Sequence, residues 1–410
     1  MSVEIPTDAT GSSAAHTILR GRAPIRVAVI SDLLEEQWHS MDLVGDMLSC
    51  HLRDNHSDEV VVSQLRPQLR QRLTGVPLLP EKLARNADRL MNRFADYPLW
   101  LRRRRDDFDL FHLVDHSYAH LIHVLPSKRT VVTCHDLDTF RCLIEPEKEN
   151  RPRWFRMMTE RILDGFRNAA HVLAVSAATR DQLLRHRIVP AERISVVANG
   201  VHPRYSPLAD LEADAAATHL LPGSDRESLW LLNVGSTLPR KRLDLLLRVF
   251  AAIRREIPQA RLVRVGGKFT PAQIKLAKEL KIEDAVVTLP FLERGILAAV
   301  YRRAALLIQT AEAEGFGLPL VEAMACGCPV VASDIPVSRE VGGPAVAYCS
   351  VGDVDAWKST VVALLYDRIQ QNNVWTLRVQ NGLTHSAGFS WAENARQTAR
   401  IYREVLATYP

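Results

Sequence analysis

Short runs of nearly continuous Val, Ile, Leu and Ala recur along this chain, and each is followed by a longer segment with apolar residues at helical spacing. In the first half the runs fall at 25–31, 59–64, 109–114, 130–134, 172–176 and 194–198. A strand without polar alternation is buried on both faces, which is the mark of parallel sheet covered by helices on each side. After Asn199-Gly200 the pattern passes through a stretch rich in Ala and Asp, with Pro203, Pro207, Pro222 and Gly223, that reads as a linker. It then restarts with runs at 230–234, 261–265, 285–289, 305–309, 329–332 and 345–348, and helix-period segments such as 243–257 between them.

Two Rossmann-like α/β domains follow from this repetition, and 410 residues suits two cores of roughly 200 residues each. The expected layout is a loose tail at 1–24, one domain at 25–205, a second at 206–385 and a closing helix at 386–410. Ser390 and Glu393 have capping-box spacing at the start of that helix, and Trp391, Ala395, Thr398, Tyr402 and Val405 share one face that must dock. Ligands of open parallel sheets bind beyond the carboxyl ends of the strands, so a crevice between the domains is the place to look for a site.

Composition narrows the function classes. An apolar fraction of 47% with 24% charged residues describes a folded globular chain. No run approaches the ~18 to 20 apolar residues of a membrane span, and residues 1–24 lack the apolar centre of a signal peptide, so a cytoplasmic protein is expected. Cys50, Cys134, Cys142, Cys326, Cys328 and Cys349 have neither zinc-ligand nor paired-thiol spacing and are expected to be reduced. Net charge is only +5, but positive residues crowd the stretch 66–105, interleaved with Leu83, Leu90, Phe94, Trp100 and Leu101. That stretch reads either as a solvated helix over the sheet or as a patch for an anionic membrane surface. No nucleic-acid module accompanies it.

The chemistry concentrates after the run 305–309. There Glu314, Gly315, Phe316, Gly317, Leu318 and Pro319 form a glycine-rich turn into a helix that carries Glu322 and leads to Ala-Met-Ala-Cys-Gly-Cys-Pro. Pro319 suits a first helical turn, and free N–H groups beside a glycine turn favour an anion. Carboxylates accept hydrogen bonds from polyols, which suits Glu314 and Glu322 to sugar hydroxyls. Taken alone, such acids are usually solvated.

Together these residues closely resemble glycosyltransferase family 4, and the likeness extends over most of the chain from Ile25. Gly235-Ser-Thr-Leu-Pro239-Arg240-Lys241-Arg242 is similar to that family's diphosphate loop, Asn199-Gly200-Val201 to its hinge, and Ser390-Trp391 to its returning helix. The resemblance implies the GT-B architecture, in which two Rossmann-like domains face a central cleft. It also implies a retaining, metal-independent transfer of a hexosyl group from a nucleotide sugar to a glycan or lipid-linked hydroxyl, as in polysaccharide biosynthesis, with no cofactor besides the donor. By the same resemblance Gly235, Arg240 and Lys241 meet the diphosphate, with Leu318, Pro319 and the N–H groups of Phe316 and Gly317 nearby. Glu314 takes the sugar, Glu322 the ribose, and loops near Lys268 and Phe291 the base.

The first domain reads less clearly. His135, in Thr133-Cys134-His135-Asp136 after a strand, occupies the family's catalytic-side position, with Asp136 beside it. His112, His116, His120 and His123 cluster in sequence; a metal site is possible by spacing, but helix-surface or core histidines are the simpler reading, and His116 is placed to touch the acceptor. The loop 31–40 contains no glycine where the family has a glycine-rich one, so Trp38 or Ser40 is expected to shape an acceptor pocket instead. Rival readings are an epimerase, a silent nucleotide-sugar-binding protein, and an NAD-dependent oxidoreductase. The last lacks G-x-G-x-x-G in its first βα turn.

Overall fold

A computed structural model describes residues 23–77, 79–221 and 229–409. The tail expected at 1–24 lies almost wholly outside the described residues, as do Pro222 and Gly223 of the expected linker.

Twelve strands form two six-stranded sheets. The first contains β1 Ile25–Ile30, β2 Val60–Leu65, β3 Leu110–Leu113, β4 Thr130–Cys134, β5 His171–Ala174 and β6 Ile194–Val196, in the order β2-β1-β3-β4-β5-β6. The second contains β7 Leu229–Val234, β8 Ala260–Val265, β9 Val286–Leu289, β10 Leu306–Gln309, β11 Val330–Ser333 and β12 Ala347–Cys349, in the order β12-β11-β10-β7-β8-β9. Every neighbouring pair is parallel. All twelve runs read from the sequence are strands, because residues such as Thr130 to Cys134 and Leu306 to Gln309 are buried on both faces. Each order reverses once, between β1 and β3 and between β7 and β10, and those reversals are where parallel sheets leave a crevice.

The stretch between the domains differs from its reading as a linker. Residues Leu211–Leu220 form a helix with an Asp210 cap, and Ala213 and Ala217 are buried against Trp230 and Tyr301 of the second core. Arg302 ties it down by donating to Asp214 Oδ1 at 2.5 Å. Alanine-rich sequence that looks featureless is good helix former once one face has something to cover.

The last helix, Trp391–Thr408, packs on the first sheet, where Ala395, Ala399, Tyr402 and Val405 join Val27, Val29 and Val131 in one core. Tyr402 OH lies 2.6 Å from His112 Nδ1, whose Nε2 meets Thr133 Oγ1 at 2.8 Å. Its cap is half of the expected box. Ser390 Oγ accepts from Glu393 N at 3.4 Å, but the Glu393 carboxylate is taken by Arg396 and Gln397 instead of returning to residue 390. Two chain crossings join the domains side by side: a Cβ on Gly200 would sit 2.3 Å from Trp391 N, and Val201 N donates to Phe389 O at 3.0 Å.

Candidate functional site

At the β7/β10 reversal, the segment after β7 meets the segment after β10. Gly235 leaves β7 with φ 150, a conformation that suits glycine, and the Lys241 side chain crosses directly over it. Lys241 Nζ donates to Glu314 Oε1 at 2.5 Å, and both side chains are close to nine-tenths buried. Gly317, also at positive φ, turns the chain into the helix Leu318–Ala325 with Pro319 in its first turn. The expected donor residues Gly235, Arg240, Lys241, Glu314, Gly315, Phe316, Gly317, Leu318 and Pro319 thus come from two loops that the strand order makes neighbours.

The first domain closes this assembly from the other side. Arg240 donates to Asp138 Oδ2 at 2.9 Å, Asp136 Oδ2 at 3.2 Å and the Ala313 carbonyl at 3.1 Å, with Glu314 Oε2 at 3.5 Å. Burial alone would weaken its protonation, but Asp136, Glu314 and Asp138 more than offset that and hold the guanidinium charged. Ser176 Oγ donates to the Gly315 carbonyl at 2.7 Å, and Glu340 of the second domain accepts from Ala177 N and Ala178 N at 2.6 and 3.0 Å. A carboxylate there meets the free N–H groups at the start of helix Ala177–Arg185.

His135 follows β4 and is buried. Its Nε2 donates to the Val114 carbonyl at 2.7 Å, since a carbonyl can only accept, which leaves Nδ1 as the acceptor of a neutral ring. Burial lowers its pKa, and Asp115 opposes that. His116 Nδ1 lies 3.3 Å from Asp115 Oδ1, and its Nε2 lies 3.9 Å from Asp136 Oδ1. The other clustered histidines go elsewhere: His120 Nε2 to the Arg93 carbonyl at 2.8 Å and His123 Nε2 to the Arg161 carbonyl at 3.0 Å. Trp38 is about half exposed at the start of helix His39–Asn55, and His39 stacks edge-on against Phe291 of the second domain at 5.0 Å.

Glu322 has partners different from those of Glu314. It is 6% exposed, and its Oε2 accepts from Tyr301 OH at 3.0 Å. Burial raises its pKa to about 7, against hydrogen bonds from Tyr301 and Tyr205 that favour the charged form. A folded value above the unfolded 4.5 means that the fold prefers the protonated acid, so this stabilisation is complete below pH 4.5 and lost as pH rises through 7. The stability difference between wild type and Glu322→Gln is expected to change by about 2 to 3 kcal/mol between pH 5 and pH 8 in urea unfolding. A pH-independent difference would show that Glu322 is ionised in the fold.

Some residues here escape a sequence reading. Asp32, two residues past β1, lies beside Asp115, two residues past β3, because Ile30 pairs with Leu113 in the register. Both are buried. Asp32 is pushed well up by burial and by Asp115, and its two oxygens have no hydrogen-bond donor among the described residues. Burial would raise Asp115 too, but His116, His135 and the hydrogen bonds from Ser117 hold it below the usual carboxylate range. The missed signal was the pairing of strand ends at the β1/β3 reversal.

Two parallel-sheet domains facing each other, with basic and acidic loops meeting between their carboxyl edges, define the GT-B class of fold. The description "Glycosyltransferase Family 4" matches residues 41–205, and "Glycosyl transferases group 1" matches residues 222–376. The D-inositol 3-phosphate glycosyltransferase of Frankia alni is 32% identical over 254 residues, 58% of this chain and 60% of that protein. The O-antigen chain mannosyltransferase B of Escherichia coli is 27% identical over 312 residues, covering 74% of this chain and 78% of its own. Among solved structures, sucrose-phosphate synthase of Thermosynechococcus elongatus superposes with a TM-score of 0.70 at 19% identity, over 94% of this chain and all of that one. The Anabaena protein HepE, in complex with UDP and glucose, gives 0.68 at 16% identity over 93% of this chain and 100% of its own. The chain belongs to glycosyltransferase family 4.

Proposed function

We propose that this protein transfers a hexosyl group from a nucleotide-sugar donor to a hydroxyl of a glycan or lipid-linked acceptor, with retention and without an essential metal. The observation that carries this reading is the convergence of Lys241, Arg240 and Glu314 at the mouth of the β7/β10 reversal, beside the N–H groups of Phe316 and Gly317. A leaving diphosphate gains negative charge there, where two cations are fixed in advance and largely dry. Arg240 currently holds Asp136 and Asp138, and a donor phosphate would compete with those carboxylates for it. Incubation with UDP-, GDP- and ADP-sugars and cell extract should release nucleoside diphosphate from one of them. Absence of both release and donor binding by the folded protein would end this reading.

On the first domain, the acceptor hydroxyl would enter at the β1/β3 reversal. Among the described residues His116 Nε2 and the Asp32 oxygens are buried there with no donor to meet them and with the Asp115 carboxylate beside Asp32, which suits a polyol that both donates and accepts. His135, Asp136 and Trp38 border the same end of the sheet.

Peripheral membrane contact is the second part of the proposal. Among the described residues no helix is long and apolar enough to cross a membrane. The first domain nonetheless exposes Leu83, Leu90 and Leu99 on a stretch that carries Lys82, Arg85 and Arg102, and Trp154 and Met157 on a second helix that carries Arg153 and Arg156, while Leu101 is buried and Phe94 and Trp100 pack against the core. Exposed apolar side chains with cations near them in sequence suit an anionic bilayer face. The protein is expected to float with liposomes containing anionic lipid and to stay behind with neutral ones. Absence from both would remove the idea.

A further inference from the structure

Arg264 is a fully buried cation in the interior of the second domain. It sits on β8 beside Asn233 of β7, one residue before Val265 and the Gly266-Gly267 pair. Its Nη2 donates to the Gly235 carbonyl at 2.7 Å and to the Gly266 carbonyl at 3.2 Å, and its Nη1 donates to the Gly267 carbonyl. Its Nε has no hydrogen-bond partner among the described residues. Among the described residues no carboxylate pairs with it; the Phe269 ring lies 5.6 Å away. Burial, with nothing to counter it, lowers its pKa to about 10.

A guanidinium normally goes into a protein interior with a carboxylate, because an unpaired buried charge is costly. Three carbonyl dipoles satisfy hydrogen bonds but leave the net charge in place. The fold does not set this charge at random. The two loops it grips are the ends of β7 and β8, which are pressed together so tightly that a Cβ on Gly266 would lie 1.9 Å from the Gly235 carbonyl. The Lys241 side chain also runs past Gly235, 3.8 Å from where a Cβ would be. Gly235 is therefore in contact with both a buried guanidinium, through its carbonyl, and the lysine of the proposed donor site.

We propose that Arg264 is a positioning residue for the donor's diphosphate: through the Gly235 loop it supplies a positive charge whose counterion is the bound nucleoside diphosphate. This rests on the donor reading given above. It makes a demand that a loop clamp alone does not. A clamp shapes the pocket for every part of the ligand, whereas an unscreened charge acts on the phosphates and leaves an uncharged nucleoside alone.

The test compares binding of UDP, GDP and ADP with binding of uridine, guanosine and adenosine by calorimetry, for wild type, Arg264→Gln and Arg264→Lys, with thermal melting of each. For the base that wild type prefers, Arg264→Gln is expected to weaken the diphosphate by about ten-fold or more while changing the nucleoside by less than about two-fold. Arg264→Lys, which keeps the charge without the fork, is expected to stay within about three-fold of wild type for the diphosphate. Equal losses for diphosphate and nucleoside, or no loss for either, would overturn the proposal. If the glutamine protein does not fold, the lysine protein decides: a clamp predicts weakened binding of both ligands, a charge predicts neither. Wild type binding none of the three diphosphates would instead sink the donor reading itself, an outcome distinct from a changed ratio.

Discussion

Lys241→Ala is expected to lower kcat/KM for the donor by about two to four orders of magnitude, the range seen when one preorganised charge facing a developing anion is removed. Lys241 does not reach its position by chance. The short 3-10 turn Pro239–Lys241 and the left-handed Arg242 that follows aim the side chain back over Gly235, and Glu314 holds its ammonium. At 14% exposure the charge works in surroundings far less screening than water. Glu314→Gln is expected to cost one to several orders of magnitude by itself, because it loses both the sugar contact and the group that fixes Lys241. Since the two side chains touch, the double variant should lose much less than the product of the single losses. Steady-state kinetics on all four proteins measures this. Wild-type rates in both single variants would refute the assignment, and multiplicative losses would show that the pair does not act as a unit.

What the sequence revealed and what it hid follow one physical line. The strands were legible because parallel sheet demands apolar residues on both faces, so β4 and β10 stand out whatever they pair with. The turn at Gly317 and Pro319 was legible because its chemistry is local. Leu211–Leu220 was misread as linker because its helix depends on partners far along the chain, such as Tyr301 and Arg302. The same holds for Glu393, whose local rival Arg396 took the carboxylate that a capping box would use. Asp32 and Arg264 were invisible for a further reason. Nothing within ten residues of Asp32 says that Asp115 will lie beside it, and a single Arg inside an apolar run gives no hint of three glycine carbonyls. Sheet order creates those neighbours, and it appears only once the register is known.

Gly315→Ala is the most severe single-methyl change this site can receive, and turnover is expected to fall by about a hundred-fold or more. The position is not one that needs an unusual backbone angle; it needs empty space. A Cβ there would lie 1.7 Å from the His135 carbonyl oxygen and 2.7 Å from its carbon, so the obstacle is backbone of the opposite domain and cannot rotate aside. Either the two domains separate or the Glu314 to Gly317 turn retreats, and both take His135 and Asp136 away from Glu314 and Arg240. Neither domain's core is touched, because the clash lies in the crevice where Ser176 and Thr179 also reach the Gly315 carbonyl. Separation of the domains is the expected outcome, because it leaves the Glu314 to Gly317 turn, and with it Lys241 and Gly235, in place; the variant should therefore melt close to wild type and bind the donor's nucleoside diphosphate within a few-fold. It should also scatter X-rays as a more open particle than wild type. Loss of nucleotide binding in parallel with turnover would mean that the turn itself collapsed, and unchanged turnover would mean that the close approach of Gly315 to His135 is not part of the reacting state.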